Sequence, residues 1–295
     1  MSGKVDEFQK EKECLLCVDS DGCAMDTMDI KHIRCFGPCM VEEWGLSQWK
    51  ESILKRWNEI NLYTMTRGIN RFKGLAKALR EIDGVYCTIK DIDVLERWVE
   101  ESDELSNQAL GKAWEKEKSI ILKKTLAWSE RVNQKIDALS FEEKKPFPGV
   151  KEALAFAHER ADVAIVSSAN LQAVEEEWQQ YDLLEDVDIL LAQNMGSKAR
   201  CIGTLLEKGY QPGNVMMVGD ALGDYEAAEK NGVFFYPILV GEEKESWKEL
   251  KEKALKKLEE GTFGGEYQKK KLEEFRNHLK QDEPMPSVGK EKKEW

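Results

Sequence analysis

Between residues 146 and 241 the sequence alternates, almost without interruption, between short apolar runs and amphipathic segments. The apolar runs are "ADVAIVSS", "DVDILLA", "NVMMVGD" and "VFFYPILV". Before and between them lie "PFPGVKEALAFAHER", "NLQAVEEEWQQYDLL", "SKARCIGTLLEKG" and "GDYEAAEKNG". A strand that is apolar on both faces is stable only where both faces are covered, and connecting helices supply that cover. Val150, Leu154 and Ala157 recur at helical spacing, as such a covering helix requires. The alternation therefore predicts an α/β fold with a parallel sheet and helices on both faces. Sheets of this kind gather their chemistry at the carboxyl ends of the strands.

The run "CLLCV" near the start of the chain reads as one more strand of this sheet, although its partners begin only after residue 146. The intervening stretch is helical in pattern, in "VEEWGLSQWKESILKRWNEI", "GINRFKGLAKALREI" and the long run from "KDIDVLERW" to "NQKIDAL". Phe72, Leu75, Ala76 and Leu79 are spaced as one helix face. An insertion at this point predicts a separate helical cap over the strand ends. Beyond 242 the chain becomes highly charged. Trp247, Leu250, Ala254 and Leu258 mark one amphipathic helix, Leu272, Phe275 and Leu279 a second, and "MPSVGKEKKEW" reads as a loose end. The expected organisation is a core of residues 1–27 and 146–241, an α-helical cap at 28–145, and a charged helical extension at 242–295 packed on the domain surface.

Lys plus Arg number 44 against 56 Asp plus Glu, a net charge of −12. That balance argues against a nucleic-acid backbone or an anionic membrane as the main partner, while leaving room for a small anion. The seven cysteines are odd in number and scattered, which suits free thiols in a reducing cytosol. "CLLC" has zinc-like spacing, but no second pair completes four ligands. With a polar, charged opening and no stretch of membrane-spanning length, a soluble cytoplasmic protein is expected.

Polar residues stand where the strands stop. Asp19 and Asp21 follow "LLCV", Ser167 follows "VAIV", Lys198 opens the helix after "DILLAQNMGS", and Asp220 and Asp224 follow "VMMV". Any one alone could be a helix cap; together they point to phosphoryl transfer. Residues two apart on an extended segment face the same way, so Asp19 and Asp21 can address one reacting centre. Asp220 adds a third carboxylate, and such an all-oxygen set suits Mg²⁺. Lys198 and Ser167 are placed to bind phosphoryl oxygens. Asp19 is then a candidate carboxylate nucleophile forming an aspartyl-phosphate, and Asp21 a candidate acid and base.

"DSDGCAMDT" resembles the first motif of the haloacid dehalogenase superfamily, usually DxDGT-L-x-D-S/T. "IVSS", Lys198 and "GDALGD" resemble its second, third and fourth motifs in order. The resemblance covers roughly 1–27 and 146–241 and implies a Rossmann-like core; the helical insertion after motif one is similar to the family's first cap class. It implies Asp19 as nucleophile and metal ligand, and Asp21 as acid/base that also ligates through its backbone carbonyl. It further implies Ser167 and Lys198 as phosphate binders, Asp220 as a Mg²⁺ ligand, and Asp224 as a supporting carboxylate. Cys23 departs from the pattern, standing where Thr is usual. Ser168 carries a second hydroxyl beside Ser167, which is preferred as the first polar residue after the strand.

The expected activity is that of a Mg²⁺-dependent phosphatase acting on a small phosphorylated metabolite. A phosphomutase of the same superfamily and a non-catalytic binding protein on the same fold are the alternatives. Arg67 and Arg71, with Asn70 between them, are candidate substrate contacts in the cap; an exposed basic helix face is the other reading. His32 and Arg34, in "DIKHIRCFGPC", are expected in a solvated loop, and Trp44, Trp49 and Trp57 in the cap core.

Overall fold

The computed structural model describes residues 5–283, and the chain divides into two compact units. Among the described residues the first comprises 5–29 and 140–280, the second 30–139 and 281–283. The loose end expected at 285–295 lies outside the described residues.

The first unit is built on five parallel strands: β1 (Cys14–Val18), β2 (Ala161–Val166), β3 (Ile189–Leu191), β4 (Val215–Gly219) and β5 (Phe234–Pro237). Their order is β3-β2-β1-β4-β5, all neighbours parallel. The strand from the start of the chain is therefore central. Leu16 is opposite Val163 on one side and Met216 on the other. Sequence order runs away from β1 in both directions, so the sheet reverses its winding between β1 and β4. In open α/β sheets the crevice at such a reversal is where ligands bind.

Alternate strand residues fill two cores, as a strand's period of two demands. Leu16, Val18, Val163, Ile165, Met216 and Val218 pack in one cluster with Val150 and Leu154 of helix Val150–His158 and Trp178 of helix Leu171–Gln179. Leu15, Cys17, Ala164 and Met217, equally buried, face the other way. Asn170 caps its helix by accepting from the N–H groups of Gln172 and Ala173, and Ser197 caps helix Lys198–Leu206 by accepting from Arg200 N–H.

Residues 243–278 fold into this same unit. A helix runs from Glu243 to Glu259 through a π-helical turn at Leu250–Ala254, and a second spans Glu266–His278. Trp247, Leu250, Ala254, Leu255, Leu258 and Phe263 belong to the same cluster as Leu16 and Val18. From the second helix Phe275 meets Phe235 of β5, ring centroids 5.3 Å apart. Of the residues read on that helix, Phe275 and Leu279 are buried, Leu272 is only half-buried, and its neighbour Lys271 is buried. Its ammonium lies 2.6 Å from Glu249 and 2.7 Å from Glu274, and this pairing makes the burial tolerable.

The second unit is helical throughout, with main helices Gly37–Trp44, Lys50–Asn58, Arg71–Val85, Ile92–Glu101, Asn107–Glu117 and Ile120–Asp137. The long helical run after residue 90 is thus three helices. It breaks where Ser106 caps a new start and where Lys118 takes a left-handed backbone, φ 52°. Trp57, Phe72, Trp98 and Trp128 form its aromatic centre, and Trp44 and Trp49 pack against it, half-buried. Arg56 is clasped by Glu81 through two 2.7 Å hydrogen bonds and by Asp282 at 2.9 Å. His32 corrects its expected solvated loop. Residues 28–44 are helical, and His32 is buried, stacked on Phe36 at 4.6 Å, whereas Arg34 is exposed. An imidazole is apolar enough across its faces to be buried between rings. Among the described residues no helix is long and apolar enough to cross a membrane.

Candidate active site

The strand ends assemble most of the residues singled out from sequence. Asp19 follows β1 directly, and its N–H still donates to Val218 O at 3.0 Å, so the central ladder extends to the aspartate itself. Asp220 follows β4, the neighbouring strand. Asp224 sits in the first turn of helix Leu222–Asn231, where one of its oxygens accepts from Ala221 N–H at 3.1 Å. Carboxylate oxygens of Asp19, Asp220 and Asp224 all lie within 4.8 Å of one another. The three residues are 5 %, 0 % and 0 % exposed.

Lys198 reaches this group from the first turn of its helix. Its Nζ is 2.8 Å from Asp19 Oδ1 and 2.5 Å from Asp224 Oδ1. Burial works against its charge, but the carboxylates of Asp19 and Asp224 outweigh it and hold the ammonium protonated far above the ordinary lysine range. Burial raises the Asp19 carboxyl well above the usual carboxylate range; Lys198 opposes that rise, and Asp224 and Asp220 add to it. One ammonium beside three carboxylates leaves the group short of positive charge. Hard oxygen donors with surplus negative charge, and no histidine among them, fit a divalent cation of the Mg²⁺ kind.

Asp21 stands apart from the carboxylate group. Its Oδ1 accepts from Thr27 Oγ1 at 2.5 Å, so the hydroxyl beside it comes from Thr27. Cys23 turns inward instead, its Sγ donating to Val218 O at 3.6 Å. Burial, reinforced by Asp19, Asp220 and Asp224, pushes that thiol far up, which leaves it protonated and unsuited to ligate a metal or attack a substrate. Ser167 is buried after β2 with its oxygen accepting from Ala169 N–H at 3.1 Å, whereas Ser168 is exposed.

The loop that carries Asp21 and runs on to Met25 is closely tied. Gly22 has φ 82°, a conformation that side chains with a Cβ rarely adopt, and donates to Met25 O at 2.8 Å. Ser20 O accepts from the N–H groups of Cys23, Ala24 and Met25. Two buried indoles bond to the same loop: Trp178 Nε1 donates to Ser20 Oγ at 2.9 Å, and Trp247 Nε1 donates to Cys23 O at 3.0 Å. The sequence pattern places Trp247 on an amphipathic helix face and carries no sign of either bond.

Gly219 is a further residue that spacing did not single out. A Cβ on it would stand 2.3 Å from Asp224 Cγ and 2.5 Å from Asp224 Cβ. The second distance is to an atom next to the backbone, so no rotation of a flexible tip relieves it. Gly219→Ala is expected to cost about 1–3 kcal/mol through overpacking. It should also displace Asp224 and, with it, Lys198. A urea unfolding midpoint indistinguishable from that of the parent would contradict this reading.

Arg67 and Arg71 lie in the second unit and have partners within it. Arg67 is buried in the turn before helix Arg71–Val85, and its Nη1 donates to Leu62 O at 3.0 Å. Arg71 donates to Ser129 Oγ at 3.2 Å and Asn133 Oδ1 at 2.6 Å and lies over the Phe36 ring. The two are therefore not on one helix face, because Asn70 caps the helix between them.

A doubly wound parallel sheet with acidic and basic groups converging on its central carboxyl ends defines a Rossmann-like α/β protein with a candidate active site at the winding reversal. The family model for haloacid dehalogenase-like hydrolase matches residues 74–238, more than half of the chain, and the chain belongs to that family. The match takes in Ser167, Lys198, Asp220 and Asp224 and begins after β1. No curated protein matches the sequence significantly. Among solved structures, a haloacid dehalogenase-like family hydrolase from Streptococcus pneumoniae is 12% identical with a TM-score of 0.46, over 76% of this chain and 83% of that one. A protein described as a predicted phosphatase from Clostridium acetobutylicum is 11% identical with a TM-score of 0.44, over 77% and 85%. A subfamily IA hydrolase from Geobacter sulfurreducens is 14% identical with a TM-score of 0.38, over 77% and 89%.

Proposed function

We propose that the protein is a Mg²⁺-dependent phosphatase that hydrolyses a small phosphorylated metabolite through an aspartyl-phosphate on Asp19. The observation that carries this reading is the Lys198 ammonium shared between Asp19 and Asp224, beside a third buried carboxylate, Asp220. In this reading Mg²⁺ is held by Asp19, the backbone carbonyl of Asp21 and Asp220, with Asp224 supporting. When bound, the metal supplies positive charge that keeps Asp19 ionised and offsets its repulsion from a phosphate dianion.

An Asp19 carboxylate oxygen attacks phosphorus while the ester P–O bond breaks, and Asp21 gives its proton to the leaving ester oxygen. Water then attacks the aspartyl-phosphate, Asp21 takes up its proton, and the P–O bond to Asp19 breaks to release inorganic phosphate. Lys198 and the Ser167 hydroxyl neutralise the charge that builds on the phosphoryl oxygens. Thr27 supports the assignment of Asp21 by fixing the carboxyl that must first donate and then accept. The helical unit, inserted after β1, corresponds in this reading to the family's cap. Free cysteines and the absence, among the described residues, of a helix fit to span a membrane are in keeping with a cytoplasmic setting.

A panel of phosphomonoesters, with isomerisation followed alongside phosphate release, tests the proposal. Release with Mg²⁺, its loss to background in EDTA and its return on adding Mg²⁺ are expected. Isomerisation with little release would identify a phosphomutase. No turnover across the panel by folded, metal-loaded protein would overturn the reading.

A further inference from the structure

We infer that Trp247, which lies beyond the stretch matched by the family model, is a positioning residue for the loop that presents Asp19 and Asp21. This rests on the phosphatase reading for what the loop does, but the contact itself is independent of it. The family match ends at residue 238, and Trp247 sits on the helix that follows β5. Its indole is fully buried, and its N–H donates to Cys23 O, two residues beyond Asp21.

Several contacts make this bond a built feature. Tyr236, on β5, donates its hydroxyl to Ser246 O at 2.7 Å, and Ser246 Oγ accepts from Leu239 N–H at 3.1 Å. The residue just before Trp247 is thereby tied to the end of the sheet. Two residues past Trp247, Glu249 is held by Lys271 at 2.6 Å and by Tyr267 at 2.9 Å, which couples it to helix Glu266–His278. The indole thus approaches the loop from a framework fixed on both sides. Cys23 is fully buried, so its carbonyl has little access to water as a substitute acceptor partner.

The loop needs such a hold because Asp19 and Asp21 are secured differently. Asp19 is the last residue of a hydrogen-bonded ladder, while Asp21 lies past its end. Asp21 is held by Thr27 and by the turn from Ser20 to Met25, and Trp178 and Trp247 bond that turn on either side of Asp21, at Ser20 and Cys23. Loosening the turn therefore moves the acid/base while leaving the nucleophile in place.

Trp247→Phe keeps one six-membered aromatic ring and removes the pyrrole portion with its N–H, so the thermal midpoint should fall somewhat through lost packing. Amide hydrogen exchange in residues 20–25 should quicken by about tenfold relative to the β1, β2 and β4 amides. On a series of aryl phosphates, kcat/KM, which reports the phosphorylation of Asp19 and not its later hydrolysis, should fall about 10–100-fold for poor leaving groups. For good leaving groups, which need little protonation in that step, kcat/KM should be nearly unchanged. A merely structural role would lower activity evenly across the series. Unchanged exchange in residues 20–25, or an even loss across the series, overturns the inference. If the parent protein proves inactive on every ester, faster exchange in the variant still supports the hold on the loop while the phosphatase reading fails. Trp178→Phe reads the same loop from Ser20 should Trp247→Phe fold poorly, with the same two outcomes.

Discussion

Asp19→Asn should abolish phosphate release, lowering kcat by roughly 10⁴-fold or more, as removal of a catalytic nucleophile does in other hydrolases. The amide is nearly the shape of the carboxylate but cannot form the acyl-phosphate bond. The same change should leave the fold intact. In the metal-free protein the Asp19 carboxyl is held high by burial and by Asp224 and Asp220, against the pull of Lys198, so its ionised form is costly there. Replacing it with a neutral group removes that cost, while the amide oxygen can still accept from the Lys198 ammonium. The variant is therefore expected to melt in EDTA no lower than the parent, and to gain less from added Mg²⁺ because a ligand is gone. Retained turnover would exclude Asp19 as nucleophile. A midpoint far below the parent's in EDTA would show that Asp19 is needed for the fold itself.

Lys198→Met should be damaging in both respects. The ammonium is largely buried and is shared by two carboxylates, at 2.8 and 2.5 Å. Removing it leaves Asp19, Asp220 and Asp224 crowded together without that counter-charge. Breaking a buried ion pair from one side costs about 3–5 kcal/mol, because the surviving charges keep their desolvation penalty. At about 2–4 °C per kcal/mol, this is a readily measured drop in thermal midpoint. Added Mg²⁺ should recover part of the lost stability by supplying positive charge to the same group. Activity should still fall by about 10²–10³-fold with Mg²⁺ present, the scale seen when one donor to a developing oxyanion is lost. A variant as stable as the parent in EDTA would mean that the buried carboxylates do not depend on Lys198.

The core strands were legible because a strand covered on both faces must be apolar throughout, and that pattern is local. "LLCV", "VAIV" and "VMMV" therefore announce both the strands and the places where they stop. A polar residue just past such a run stands at the carboxyl end of a strand, which is why Asp19, Ser167 and Asp220 could be singled out. Helix ends were less legible. The run after residue 90 keeps an amphipathic pattern across Ser106 and Lys118, and only a cap and a left-handed residue divide it. His32 illustrates another limit: a polar-looking segment can be buried when its histidine stacks on Phe36, four residues on, and packs against Trp57 from a later helix.

By itself the sequence determined that this chain forms a parallel α/β core with a helical insertion, and which residues stand at the strand ends. Tertiary structure decided which of them meet. Placing β1 between β2 and β4 brings Asp19 beside Asp220, and the missing Cβ of Gly219 admits Asp224 and, through it, Lys198. The bonds of Trp178 and Trp247 to the aspartate loop are likewise settled only in three dimensions. The physical reason is that hydrophobic burial is non-directional. Periodicity reveals that a face is covered, but a hydrogen bond or a close approach depends on the one partner that long-range folding puts there.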